Sequence, residues 1–159
     1  MNSLSIKPHL NEMRRLMAEA LDEAWVALEE GEFPVGALIV KNGQIIARDH
    51  NRKEQRNDPT AHAEILVIRQ AALRLKDWRL TDCTLYATAE PCPMCMGAVM
   101  QTRLSGLVYG AAEKRFGAVE TTADLARHPM LSNHLEIYPG IMEEECAAVM
   151  ARCFSRSPE

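Results

Sequence analysis

The sequence predicts an α/β fold, a sandwich in which helices cover both faces of a mixed sheet. Two observations lead there. Segments with apolar residues at three- and four-residue steps alternate along the chain with short β-like runs. The 159 residues, 47% hydrophobic and 25% charged, can bury one core of ordinary size, so 1–159 is read as a single domain.

The first helix is marked by Leu10, Met13, Met17, Leu21, Ala24 and Leu28, and should run to about Glu30, where Gly31 stops it. Two β-like runs follow, 35–40 and 44–47, split by Lys41-Asn42-Gly43; Asn-Gly between such runs signals a hairpin. Residues 51–58 are polar throughout and read as a loop. Asp58-Pro59-Thr60 should then start a helix carrying Ile65, Leu66, Ile68, Ala72, Leu73 and Leu75. A third strand is expected at 84–88. A helix should begin at Cys92, with Pro93 in the first helical position where its missing N–H is harmless, and continue to about Leu104. A fourth strand at 107–109, a fifth at 134–138 and a closing helix at 143–154 complete the pattern; 111–133 shows no clear periodicity.

No apolar run approaches the ~18 residues of a membrane helix; the longest clean one is Ala37-Leu38-Ile39-Val40. Glu12, Arg14 and Arg15 interrupt the N-terminal stretch where a secretory signal would be apolar. A cytoplasmic location, with no membrane partner, is therefore expected. The five cysteines fit this: their number is odd, and two form a CxxC pair that suggests metal or redox chemistry more than disulfides. A net charge of -4 argues against clamping long nucleic acid, which needs many cations.

Two segments carry the chemistry, Thr60-Ala61-His62-Ala63-Glu64 and Glu90-Pro91-Cys92-Pro93-Met94-Cys95. Cys92 at a helix start and Cys95 one turn on project from one face, and a helix N-terminus favours thiolates. Zinc suits thiolate and imidazole together; His62, Cys92 and Cys95 would be three ligands, one ion per subunit, leaving a fourth position open as catalytic sites do. Glu64, two residues beyond His62, points elsewhere on the helix and is placed to move protons as general acid and base. A closed structural site with Cys83 as fourth ligand would leave Glu64 without a role. Together the segments match the H-x-E…P-C-x-x-C signature of zinc deaminases.

At these residues the chain resembles the cytidine deaminase-like superfamily, and within it the bacterial tRNA adenosine deaminases. The match extends through Phe33-Pro34-Val35-Gly36-Ala37, Asn51-Arg52, Asp58-Pro59, Thr84-Leu85-Tyr86, Tyr109-Gly110-Ala111, His128-Pro129, Asn133-His134 and Gly140-Ile141. The resemblance implies a three-layer α/β/α sandwich around a five-stranded mixed sheet, assembled as a homodimer. It implies that Asn51 hydrogen-bonds the target base, that Gly36 and Ala63 lend it backbone groups, and that the substrate is the wobble adenosine of a tRNA anticodon loop, converted to inosine. Phe154 could stack on a splayed nucleotide or face the core. Arg52, Lys53 and Arg56 could meet phosphates or form a solvated loop.

Some positions depart from the family pattern. Where it usually has an acidic residue, a Lys and a Gly-Ser pair, this chain has Glu113, Arg115 and Glu120-Thr121, and Cys153-Phe154-Ser155-Arg156-Ser157 lacks an arginine cluster. The metal chemistry is untouched, but a second substrate class stays open: a small-molecule nucleobase or nucleoside such as guanine or cytosine. His9, His50, His128 and His134 read as surface or capping residues, and Cys83, Cys146 and Cys153 as small core residues.

Overall fold

The computed structural model describes residues 9–129 and 135–155. Its elements, in chain order, are α1 (Leu10–Glu29), β1 (Gly36–Lys41), β2 (Gln44–His50), α2 (Lys53–Arg56), α3 (Ala63–Leu75), β3 (Cys83–Ala89), α4 (Pro93–Thr102), β4 (Gly106–Ala111), β5 (Glu136–Tyr138) and α5 (Glu143–Phe154). The strands form one sheet in the order β2-β1-β3-β4-β5. β1 is antiparallel to β2 and β3, while β3–β4 and β4–β5 are parallel, so the sheet is mixed as expected. Helices α1 and α5 pack together on one face; α3 packs on β1 and β2 from the other and holds α4 beside it. This is the three-layer α/β/α sandwich that the sequence predicts. Among the described residues no helix is long and apolar enough to cross a membrane.

The strands are buried nearly from end to end, as sheets covered on both faces are: Ala37, Leu38, Ile39, Leu85, Ala87, Leu107 and Val108 have no measurable exposure. α1 lays Leu16, Met17, Ala20 and Ala24 against them. Its closest approach is at Gly36, where an added Cβ would lie 2.0 Å from the carbonyl oxygen of Ala20 and 2.7 Å from the nitrogen of Ala24.

Three differences from the sequence reading matter for the site. Residues 51–58 are not all loop, because the buried carboxylate of Glu32 accepts the N–H groups of Glu54 and Gln55 and stabilises the single turn α2. The helix expected from Asp58 starts only at Ala63. Asp58 Oδ1 instead accepts from the N–H and hydroxyl of Thr60, closing a local turn, and His62 stays extended at φ -73°, ψ 148°. His50 is no surface residue: its ring is buried between two carboxylates of α1 and its end, Glu23 Oε2 at 2.7 Å and Glu30 Oε2 at 2.8 Å. Those two glutamates are seven residues apart, hence on one helix face, a relation that a local reading of His50 does not contain. Cys83 and Cys146 are buried and Cys153 half-buried; His9 is the N-cap of α1, His128 is exposed, and His134 lies outside the described residues.

Gly36→Ala is expected to lower stability by about 3 kcal/mol, the upper end for overpacking, because the obstructing atoms are backbone. A urea unfolding midpoint equal to that of the parent would contradict the close approach of α1.

Candidate active site

The register of the sheet brings four loops to one edge. β1 begins where β3 ends (Ala37 pairs with Ala87), β2 ends beside the start of β1 (His50 pairs with Gly36), and β3 and β4 finish together (Ala89 pairs with Ala111). The residues beyond those points, 33–35, 51–53, 89–94 and 113–116, therefore converge, and α3 and α4 both start there. Ligand crevices form at such strand ends in open α/β sheets. The result is a cavity of about 500 Å³ lined by Phe33, Val35, Asn51, Lys53, His62, Ala63, Glu64, Ala89, Glu90, Cys92, Pro93, Met94, Glu113, Arg115 and Phe116, a size suited to a small organic group.

His62 and Cys92 are the N-caps of α3 and α4, both extended, and Cys95 lies one turn into α4. Their ligand atoms meet: His62 Nδ1 is 3.6 Å from Cys92 Sγ and 3.5 Å from Cys95 Sγ. Tetrahedral zinc, with Zn–S about 2.3 Å and Zn–N about 2.0–2.1 Å, would hold S and N about 3.5–3.6 Å apart. The spacing and the donor set both fit, and this His/Cys/Cys group could bind a metal. Cys83 is not in the group; its thiol donates to the carbonyl of Thr81, at the other end of β3.

Left to themselves, these groups redistribute protons. The Cys92 thiol is pulled down to about 4, chiefly by hydrogen bonding from Cys95 and then by His62, against the effect of burial. Cys95 is pushed far up by Cys92 and by burial, and His62 is raised by its bond to Cys92. The two helix N-termini aimed at the group favour the same negative charge.

Glu64 stands at the second position of α3 with 4% of its surface exposed, and its Oε1 has no hydrogen-bond partner among the described residues. Because His62 precedes the helix instead of lying on it, the direction of each side chain is set by its own backbone and not by a shared helical period. A buried oxygen without a partner is expensive unless something polar occupies the cavity beside it. Burial raises the pKa of Glu64, opposed by Cys95 and His62.

Of the other expected site residues, Asn51 and Ala63 line the cavity. The carboxamide of Asn51 is held: Oδ1 accepts from Lys53 N–H at 3.2 Å and Nδ2 donates to the Phe33 carbonyl at 3.4 Å, which leaves one amide proton over. Ala63 is the first residue of α3, where a backbone N–H has no intrahelical acceptor. The structure does not bring Gly36 to the cavity; its N–H donates to Thr88 Oγ1 at 3.1 Å, and its missing side chain makes room for α1. Phe154 is 61% exposed and packs edge-on to Phe33, ring centres 6.0 Å apart, with the Arg115 guanidinium 4.8 Å from its ring centre. It is thus neither core nor cavity lining but a rim residue. Arg52 bonds Asp49 and Gln55, whereas Lys53 lines the cavity. Sequence reasoning missed Phe33, Arg115 and Phe116 as neighbours across the mouth, since they lie more than eighty residues apart or in a segment without periodicity.

A His/Cys/Cys group at paired helix starts, with a buried carboxylate beside it on this sheet order, defines a deaminase of the cytidine deaminase-like fold. The chain belongs to the MafB19-like deaminase family, which matches residues 11–143. It is 44% identical over 138 residues to the tRNA-specific adenosine deaminase of Bacillus subtilis, covering 87% of this chain and 86% of that one. A solved structure from work on A-to-I editing by tRNA:A34 deaminases at the wobble position superposes with a TM-score of 0.81 at 42% identity, covering 85% of this chain and 98% of the other. The guanine deaminase of Bacillus subtilis is 35% identical with a TM-score of 0.60, covering 91% and 96%.

The raised pKa of Glu64 gives a signed stability prediction. A carboxyl that holds its proton more tightly folded than unfolded adds stability below the ordinary value of 4.5, and that stability is lost as pH rises through the raised value. Glu64→Gln should therefore unfold at a higher temperature than the parent at pH 7 in chelator, by a few degrees, ~1 kcal/mol being about 2–4 °C for a chain of this size. Calorimetry should show the difference shrinking below pH 4.5; an equal or lower midpoint at pH 7 would refute the burial penalty.

Proposed function

We propose that this protein converts the wobble adenosine of a tRNA anticodon loop to inosine by zinc-dependent hydrolysis. The observation that carries the reading is the unpartnered, buried Glu64 oxygen beside a His/Cys/Cys group spaced 3.5 and 3.6 Å, a combination that serves hydrolysis and has no structural use. The similarity to tRNA-specific adenosine deaminases supports the choice of substrate, as does the rim. A mouth bounded by Phe33, Phe154, Phe116 and Arg115 offers stacking faces and a cation to nucleotides flanking an everted base.

His62, Cys92 and Cys95 would hold one zinc ion per subunit. When bound, it supplies the Lewis acidity that brings the pKa of a water down toward neutrality. Glu64 would accept a proton from the attacking water and deliver it to N1 of the purine while the water oxygen bonds to C6. The carboxylate then carries the second proton to the exocyclic nitrogen, the C6–N6 bond breaks and ammonia leaves, so adenosine and water become inosine and ammonia. The free amide proton of Asn51 and the N–H of Ala63 suit acceptors on the base. Gly36 supports this wall through Thr88 instead of touching the base. Phe154 stacks at the rim. The enzyme acts in the cytoplasm as a homodimer, consistent with the exposed apolar residues Leu73 and Trp78 beside the α3 face.

Incubation with an anticodon stem-loop should yield inosine; ammonia from free guanine, with no inosine, would transfer the reading to the small-molecule class. Cys95→Ala should lose zinc by metal analysis and lose stability with it. Glu64→Ala should keep stoichiometric zinc while turnover falls by about 10⁴-fold or more, the upper range for losing a proton-transfer group.

A further inference from the structure

We propose that Glu90 is a positioning residue that sets how tightly the strand around the target base is held, because its carboxylate gathers both ends of the segment carrying Glu113, Arg115 and Phe116. The proposal rests on the tRNA reading above for its substrate. Residues 112–122 form neither helix nor strand, yet three of them line the cavity. Besides turns of its own and a bond from Ala118 N–H to the Pro91 carbonyl, the segment closes on one buried carboxylate, two residues before Cys92. Oε2 of Glu90 accepts from the N–H groups of Val119 at 3.1 Å, Glu120 at 2.9 Å and Thr121 at 3.0 Å. Oε1 accepts from Glu113 N–H at 3.2 Å and from the Thr121 hydroxyl at 2.5 Å. Five donors from four residues thus converge on one side chain, and hydrogen bonds to a charged acceptor are the strong ones.

The seat is tight. A Cβ on Gly117 would come 2.4 Å from Glu90 Oε1, so the glycine lets the loop close around the carboxylate. Two of the positions that depart from the family pattern, Glu120 and Thr121, are absorbed by the same anchor. Thr121 supplies two of the five donors, and the side chain of Glu120 turns to accept from the Tyr109 hydroxyl at 2.8 Å. Arg115, held so, reaches the rings of Phe116 and Phe154. None of these contacts involves His62, Cys95 or Glu64. Releasing the segment should therefore weaken the grip on flanking nucleotides and spare the proton transfers.

Two variants approach the anchor from opposite sides. Glu90→Gln presents an amide N–H where donors converge, and Gly117→Ala crowds the intact carboxylate from the loop. In each, KM for the stem-loop should rise about 10-fold or more while kcat changes by less than about 3-fold, the pattern of lost binding common to ground and transition states. Zinc content should stay stoichiometric, and the double variant should be no worse than either single one, as partners in one contact behave. Hydrogen exchange in a peptide covering 112–122 should accelerate in both variants, with α3 and α4 unchanged. Loss of kcat and zinc with KM unmoved, additive effects, or unchanged exchange would each overturn the proposal. A parent enzyme that makes no inosine would sink the tRNA reading, and the exchange measurement would still decide whether Glu90 anchors the wall.

Discussion

The site depends on two helices beginning at the same edge of one sheet. α3 and α4 follow different strands and are separated by the whole of β3, yet their first turns put the His62 Nδ1 atom within 3.6 Å of the Cys92 and Cys95 sulfurs. Such a cluster does not hold together for its own sake. A shared proton satisfies the two sulfurs only in part, and a group of this kind could bind a metal. Packing elsewhere must impose the arrangement. The backbone contributes through Arg52 N–H on the Ala61 carbonyl and Asn51 N–H on the Val35 carbonyl, which tie the approach to α3 to the approach to β1. Glu90 N–H on Ala111 does the same for the approach to α4.

Behind that edge, buried acids organise backbone and do not face solvent. Glu32 shapes α2, and Glu90 shapes the segment after β4. Asp49 gathers Arg52 Nε and Gln70 Nε2 at 2.7 Å each, together with the N–H of His50 at 2.8 Å. His50 itself is gripped by Glu23 and Glu30. These acids hold His50 and Arg52, the residues on either side of Asn51, in place at the edge of the cavity. They also show why a net charge of -4 is a poor guide to the mouth: several of the carboxylates are inside, while Lys53 and Arg115 line the cavity.

An aromatic rim, half-buried at Phe33 and exposed at Phe116 and Phe154, stands over the cavity. Phe33 comes from the turn before β1, Phe154 from the end of α5, and Arg115 and Phe116 from the segment after β4. Three unrelated parts of the chain therefore share one edge-on aromatic contact and a pair of cation–ring contacts. Such a rim can adapt to stacked bases without specifying them, which leaves selectivity to the cavity below.

The sequence by itself determined what is local. Apolar periodicity located α1 and α5 to within a residue, Asn42-Gly43 marked the hairpin, and Pro93 after Cys92 marked the start of α4. The two segments that carry His62, Glu64, Cys92 and Cys95 were legible as motifs, and the fold groups His62, Cys92 and Cys95 as a set that could bind a metal. Tertiary structure alone decided what depends on long-range approach. It turned His50 inward between glutamates 20 and 27 residues away, and it made Gly36 the point where α1 passes close over the sheet. It also tied Glu113 and residues 119–121 to one carboxylate far back in the chain. Hydrogen bonds to partners far along the chain leave no period in the sequence, so only the folded sheet, which sets which loops meet, could reveal them.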